Sequence, residues 1–169
     1  EFLIKIAEKC EKERVRLVLD ECFVQFLTSG EEASMQLETG RFRYLFVLQA
    51  FTKIYAVPGI RLGYGISSDK ALLERMETVR QPWSVSTPAQ AAGLSALKED
   101  HREEQTRQLV KSERERMEKE LENLRIEYIP SEANFLLFNS EINWFEELKK
   151  RGILIRDCSN YPGLKKGYY

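Results

Sequence analysis

Histidine is almost absent: His101 is the one histidine in 169 residues. That leaves no material for a zinc site built on imidazoles and very little for a Ser-His-Asp triad. His101 itself sits in KEDHREEQ, a charged stretch that predicts a solvated helical position. Cysteine is nearly as scarce. Cys10, Cys22 and Cys158 are odd in number, far apart and without a CxxC pair, so neither a disulfide framework nor a thiolate metal clamp is expected. A reducing, cytoplasmic setting fits such a set of cysteines. No run of eighteen apolar residues occurs, so no membrane-spanning helix and no membrane partner are expected. Residues 1–13 (EFLIKIAEKCEKE) read as an amphipathic helix, not as a charged-then-apolar leader. An excess of charge of one sign is missing too. The formal net charge of −1 gives no bulk attraction to nucleic acid or anionic lipid. Internal repeats and low-complexity tracts are also absent.

What is present is a globular composition, 43% hydrophobic and 31% charged, in a length that suits one domain or one domain with a small second one. Apolar residues at helical spacing (Leu3, Ile4, Ile6, Ala7, Cys10) predict a first helix over 3–13. Three apolar runs of strand length follow: VRLVLD (15–20), RYLFVLQAF (43–51) and LGYGI (62–66). Continuous apolar strands between helices predict an α/β layered, mostly parallel sheet. SDKALLERMETVR (68–80) predicts a helix with an aspartate near its start. Thr87-Pro88 predicts the start of another, with threonine as cap and proline in the first turn. A long polar helix is expected over 99–125, its mixed charges forming helical ion pairs and not a basic patch. IEYIP, NFLLF (134–138), a helix over 143–152 ending at Gly152, and ILIRD (153–157) predict a small strand–helix–strand module. The expected division is a larger unit over 1–100 and a small α+β unit over 101–169, with the boundary in the long helix. The chain opens at Glu1 on a helical segment and stops at Tyr169 after PGLKKGYY, so both ends are expected to be cuts in a longer polypeptide.

Three charged side chains fall at the ends of predicted strands: Asp20, Lys53 and Arg61. Ligands of open α/β sheets bind at the carboxyl ends of strands. A carboxylate, an amine and a guanidinium gathered there would be costly to bury without a ligand. On spacing alone, a turn-capping aspartate and two surface ion pairs is the favoured reading. One ligand would use all three. Pyridoxal 5′-phosphate carries an aldehyde for a lysine, a pyridine nitrogen for an acid and a phosphate for an arginine and hydroxyls. Thr52, beside Lys53, is such a hydroxyl. A nucleotide-binding loop is a poorer fit, because GYG (63–65) lacks the third glycine and a following helix.

LDECF, FTKIYAVPGIRLGYG, QPWSVSTPAQAA, NFLLF and GILIRDCSNYPGL, in this order, resemble the fold-type I, class I/II aminotransferase-like enzymes that use pyridoxal phosphate. Within them the chain looks like the threonine-phosphate decarboxylase branch of cobalamin biosynthesis first, and the histidinol-phosphate aminotransferases second. The resemblance implies that Lys53 is the Schiff-base lysine and proton shuttle, and that Asp20 partners the pyridine nitrogen. It implies that Thr52 and Arg61 hold the cofactor phosphate and that Arg156 holds the phosphate of a phosphorylated amino-acid substrate. Phe23 stands where many relatives have a tyrosine, which leans towards the decarboxylases, and Ala50 replaces a hydroxyl residue. The resemblance also implies a homodimer when full length. It places the rest of the cofactor site in an amino-terminal half outside this chain and a carboxylate-binding arginine just past Tyr169. The chain is therefore expected to be about the carboxyl-terminal half of such an enzyme and inactive by itself.

Overall fold

The structure is a computed structural model that describes residues 1–99 and 101–169; Asp100, where the expected division of the chain falls, lies outside them. Its fold is α/β. The described chain separates into two compact units, Glu1–Arg107 and Gln108–Tyr169.

In the first unit, helix α1 (Phe2–Glu13) is closed by Arg14 in the left-handed conformation (φ 55°), and the chain enters strand β1 (Leu17–Asp20). Three 3-10 turns (Val24–Phe26, Gly30–Ala33, Gln36–Gly40) then lead to strand β2 (Leu45–Ala50). The single-turn helix α2 (Phe51–Ile54) and a 3-10 turn at Pro58–Ile60 connect β2 to strand β3 (Gly63–Ile66). β1 and β2 pair in parallel, Leu17 opposite Leu45 through Asp20 opposite Leu48, while β2 and β3 are antiparallel. The central strand β2 is buried at Leu45, Phe46 and Val47 in succession and again at Gln49, with Leu48 exposed. Leu45 and Val47 are fully buried against Ala7, Met35 and Phe42, with Leu3, Ile4, Leu17 and Leu19 packed around them. Each such side chain removed from water contributes about 1.5–3 kcal/mol, so this face fixes the register of both ladders. The opposite face of β1 carries Val18 and Asp20, both exposed.

Helix α3 (Lys70–Val79) is capped by Asp69, whose carboxylate accepts from the Leu72 N–H at 3.3 Å. Helix α4 (Thr87–Ala96) is capped by Ser86, with Pro88 in its first turn, so the cap lies one residue before the expected Thr87. Helix α5 (Arg102–Asn123) is 22 residues of mostly charged surface, laced with pairs three and four residues apart. No helix among the described residues is long and apolar enough to cross a membrane.

The second unit contains strands β4 (Glu127–Ile129) and β5 (Leu137–Asn139), antiparallel, and the short helix α6 (Trp144–Lys149). Residues 153–157 are not a strand, contrary to expectation. The edge of β5 is taken by the chain end instead. Phe138 and Tyr169 exchange backbone hydrogen bonds at 3.1 and 3.0 Å, and the Ser140 N–H donates to the Gly167 carbonyl at 2.9 Å. Tyr169 is buried there with its ring 5.5 Å from that of Phe138. Ile153 and Leu154 stay exposed, so this segment has neither a sheet edge nor a buried face to make it a strand.

Candidate functional site

Asp20 is the last residue of β1, and its neighbour β2 runs straight into α2, which carries Thr52 and Lys53. The parallel pairing puts both strands' carboxyl ends at one edge of the sheet. The turn after Asp20 folds back tightly. The Cys22 N–H donates to Asp20 Oδ1 at 3.0 Å. The nearby Cys22 side chain and this backbone bond hold the Asp20 carboxyl below its ordinary range, so it is ionised at neutral pH.

Lys53 approaches the same turn from α2. Its Nζ lies over the Phe23 ring, 5.1 Å from the centroid, and its positive charge reaches the Cys22 thiol. That thiol is pushed up to about 11 by partial burial and by the neighbouring Asp20 carboxylate; the Lys53 ammonium opposes the shift. A carboxylate and an ammonium thus act on one sulfur, and Asp20, Cys22, Phe23 and Lys53 form a single cluster. Phe23 cannot donate a hydrogen bond as a tyrosine would. It offers the ammonium a ring face instead, a role that composition and spacing had not exposed.

Thr52, beside Lys53, is buried. Arg61 follows the Pro58–Ile60 turn in the left-handed conformation (φ 56°), and its Nη1 donates to the Pro58 carbonyl at 3.1 Å. The guanidinium is therefore folded back on its own turn and exposed to solvent. Arg156 belongs to the second unit. It is exposed, donates to Asn160 Oδ1 at 3.1 Å and lies over the Tyr161 ring.

A buried polar network underlies the cluster. Glu21, next to Asp20, accepts from Ser34 Oγ (2.6 Å), the Met35 N–H (2.8 Å) and Gln49 Nε2 (3.3 Å), and Gln49 Oε1 accepts from the Tyr64 hydroxyl at 2.7 Å. A buried carboxylate needs several donors, and here they tie the end of β1 to β2, β3 and the loop before β2. Helix α5 braces the two turns. Tyr55 OH donates to Glu103 at 2.6 Å, and Arg107 Nη1 donates to the Gln25 carbonyl at 2.8 Å. Burial and the Glu103 carboxylate both push the Tyr55 phenol up. Glu21, Gln49 and Glu103 gave no sequence signal of their own, because a Glu or Gln at a strand or helix end is usually solvated.

The pattern of the class I and II aminotransferases matches residues 1–166. The threonine-phosphate decarboxylase of Salmonella typhimurium strain LT2 is 36% identical over 172 residues, which is 99% of this chain and 47% of that protein. The crystal structure of the histidinol-phosphate aminotransferase from Clostridium acetobutylicum is similar with a TM-score of 0.89 at 30% identity, over 98% of this chain and 51% of that one. A histidinol-phosphate aminotransferase from Sinorhizobium meliloti, solved in complex with pyridoxal 5′-phosphate, shares the fold at 21% identity (TM-score 0.72, 85% of this chain, 41% of that one). The chain spans about half the length of the relatives it matches. With the match running through nearly all of its residues and its fold shared with solved members, the chain belongs to the class I and II aminotransferase family.

Proposed function

We propose that this chain contributes the lysine-bearing part of a pyridoxal 5′-phosphate site, in an enzyme that acts on a phosphorylated amino acid. The observation that carries the reading is the convergence of Asp20 and Lys53 on one turn at the carboxyl ends of adjacent parallel strands. The donor set fits the group: an ionised carboxylate for a ring nitrogen, a primary amine for an aldehyde, and Thr52 and Arg61 for a phosphate. Bound there, the cofactor would supply an electron sink for negative charge at the substrate's α-carbon. Asp20 would keep a ring nitrogen protonated. Lys53 would anchor the aldehyde and afterwards move a proton at the α-carbon. Arg61 would leave its bond to the Pro58 carbonyl to meet the cofactor's phosphate, an exchange of a neutral acceptor for a charged one that favours the ligand. Arg156 is assigned to the phosphate of the substrate.

The first reading of the reaction is decarboxylation of threonine phosphate, supported by the Salmonella relative and by phenylalanine at position 23. The second is transamination of histidinol phosphate, favoured by the structural similarity to the Clostridium enzyme. We further propose that activity needs the half of the relatives' length that this chain does not span, and that the complete enzyme is a homodimer. The 169-residue chain would then lose pyridoxal phosphate on gel filtration.

The test uses the complete polypeptide. Adding pyridoxal phosphate should produce a visible absorbance band that borohydride bleaches, fixing the label on the peptide containing Lys53. Lys53→Ala should abolish both. Absence of the band, or a label on another lysine in the unaltered protein, overturns the reading. Release of CO₂ from threonine phosphate without a keto acid selects the decarboxylase. Turnover of histidinol phosphate only with 2-oxoglutarate selects the transaminase.

A further inference from the structure

Helix α2, which carries Lys53, is four residues long. A helix of one turn has no stability of its own, because nucleation costs more than so few hydrogen bonds contribute. Its turn also closes through Ala56 in the left-handed conformation (φ 54°), which a residue with a side chain adopts at a cost. Contacts from outside α2 must therefore hold it, and with it the base of the lysine. We propose that one face of helix α5 does so: Glu103 and Arg107 are positioning residues for Lys53, setting the lysine turn and the Phe23 turn at the spacing that brings the amine onto the Phe23 ring.

Phe51 and Tyr55, four residues apart, share one side of α2, and their rings stack with centroids 5.3 Å apart. Lys53 lies between them in sequence and is exposed, whereas its neighbours Thr52 and Ile54 are buried. A phenol anchors each end of the stack. Beyond Phe51 is Tyr64, its ring 5.8 Å away and its hydroxyl donating to Gln49 Oε1 at 2.7 Å. At the other end the Tyr55 hydroxyl donates to Glu103 at 2.6 Å. Burial and the Glu103 carboxylate push that phenol up, so it stays a donor at neutral pH. One turn further along α5, and so on the same face, Arg107 reaches the other turn. Its Nη1 donates to the Gln25 carbonyl at 2.8 Å, within the 3-10 turn that follows Phe23. Glu104 holds Arg107 in that posture, 2.9 Å from its Nη2. The contact between Lys53 Nζ and the Phe23 ring, 5.1 Å to the centroid, depends on the separation of two short turns, and a single rigid element grips both. All of these residues belong to the first unit. That Lys53 anchors a cofactor rests on the functional reading above, while the setting of its position by α5 does not.

The measurement is made on the complete polypeptide, freed of any pyridoxal phosphate. Reductive methylation with carbon-13 formaldehyde places a reporter on each lysine, and Lys53→Arg identifies the Lys53 signal. In the unaltered protein that signal should lie upfield of the other lysines, shielded by the Phe23 ring, and Phe23→Leu should move it to the position of a solvated lysine. Tyr55→Phe is the deciding variant, since it keeps the stacked ring and removes only the hydroxyl. It should lose most of the upfield shift, as should Glu103→Ala and Arg107→Met. Glu103→Gln, which still accepts from the phenol, should keep most of it. A purely structural role would lower the urea unfolding midpoints of these variants and leave the signal of the folded protein where it was. That result, or a Lys53 signal in the unaltered protein at the solvated position, overturns the proposal. Adding pyridoxal phosphate separates the two readings. An absorbance band in the unaltered protein, with an unmoved Lys53 signal in Tyr55→Phe, overturns the positioning role alone. A signal that moves as expected in a protein that forms no band overturns the cofactor reading alone.

Discussion

Asp69 shows how much one side chain does in this fold. It caps α3, bonds Arg16 Nη2 at 2.5 Å and reaches Arg43 at 3.5 Å, all from a buried position. The Arg16 bond is the main cause of a carboxyl held below its ordinary 3.8. A group whose proton affinity is lowered by folding stabilises the native state above its unfolded pKa and ceases to do so as pH falls through its folded pKa. Asp69→Asn should therefore be less stable than the unaltered chain at pH 7. The gap should narrow below pH 3.8 and close in stronger acid, as read from urea unfolding midpoints across pH. A gap that stays constant through that window would mean that the carboxylate charge contributes nothing. At this scale the sequence was partly legible. The aspartate before α3 could be read because cap residues have a fixed offset from helical periodicity. Its two arginine partners could not, since they are 53 and 26 residues away and only the tertiary fold joins them. The same holds for Lys53. Its place at a strand end was readable, but its contact with Phe23 depends on how two separate turns meet.

Among the elements, the clearest constraint lies between β2 and β3. Gly65 pairs with Leu48, and a Cβ built on it would fall 2.4 Å from the Phe46 ring, which is itself buried. The ring must shift within its buried surroundings to admit a Cβ, so Gly65→Ala should cost about 1–3 kcal/mol, the usual penalty for overpacking. Phe46→Leu combined with it should recover part of that loss. Gly93 in α4 is the contrast. Its Cβ would meet only the tip of the half-buried Leu62, and alanine is the better helix former, so Gly93→Ala should stay within about 0.5 kcal/mol of the unaltered chain. Chemical denaturation of the three variants checks both statements. The three apolar runs and the four later helices were legible because each carries its own period or cap. The 3-10 turns over 24–40 were not, although the last of them lies between the core residues Met35 and Phe42, because short turns have no sustained period. ILIRD failed as a strand for a different reason. It has strand composition, but residues 167–169 occupy the β5 edge, and composition does not reveal competition for an edge.

On the scale of the whole molecule, the two units are built to different standards. Among the described residues, Leu45, Val47 and Ile54 are fully buried in the first, whereas the buried apolar side chains of the second are Cys158 and Tyr169, each still slightly exposed. Opening free energy follows buried apolar contact, so the units should not share one stability. In hydrogen exchange read by mass spectrometry, amides of β2 should be released only by global unfolding. Those of β4 and β5 should exchange at least about tenfold faster, through opening of the second unit alone. The tie between Phe138 and Tyr169 gives this prediction its control. If the chain end is the third strand of that small sheet, removing residues 167–169 should speed exchange in β5 further and leave β2 untouched. Equal protection of β2 and β5 would mean that the units unfold as one. A truncation that left β5 unchanged would mean that the chain end contributes no stability. The lysine turn and the Asp20 turn both belong to the better-packed first unit, which holds the cluster in place by burial and backbone pairing.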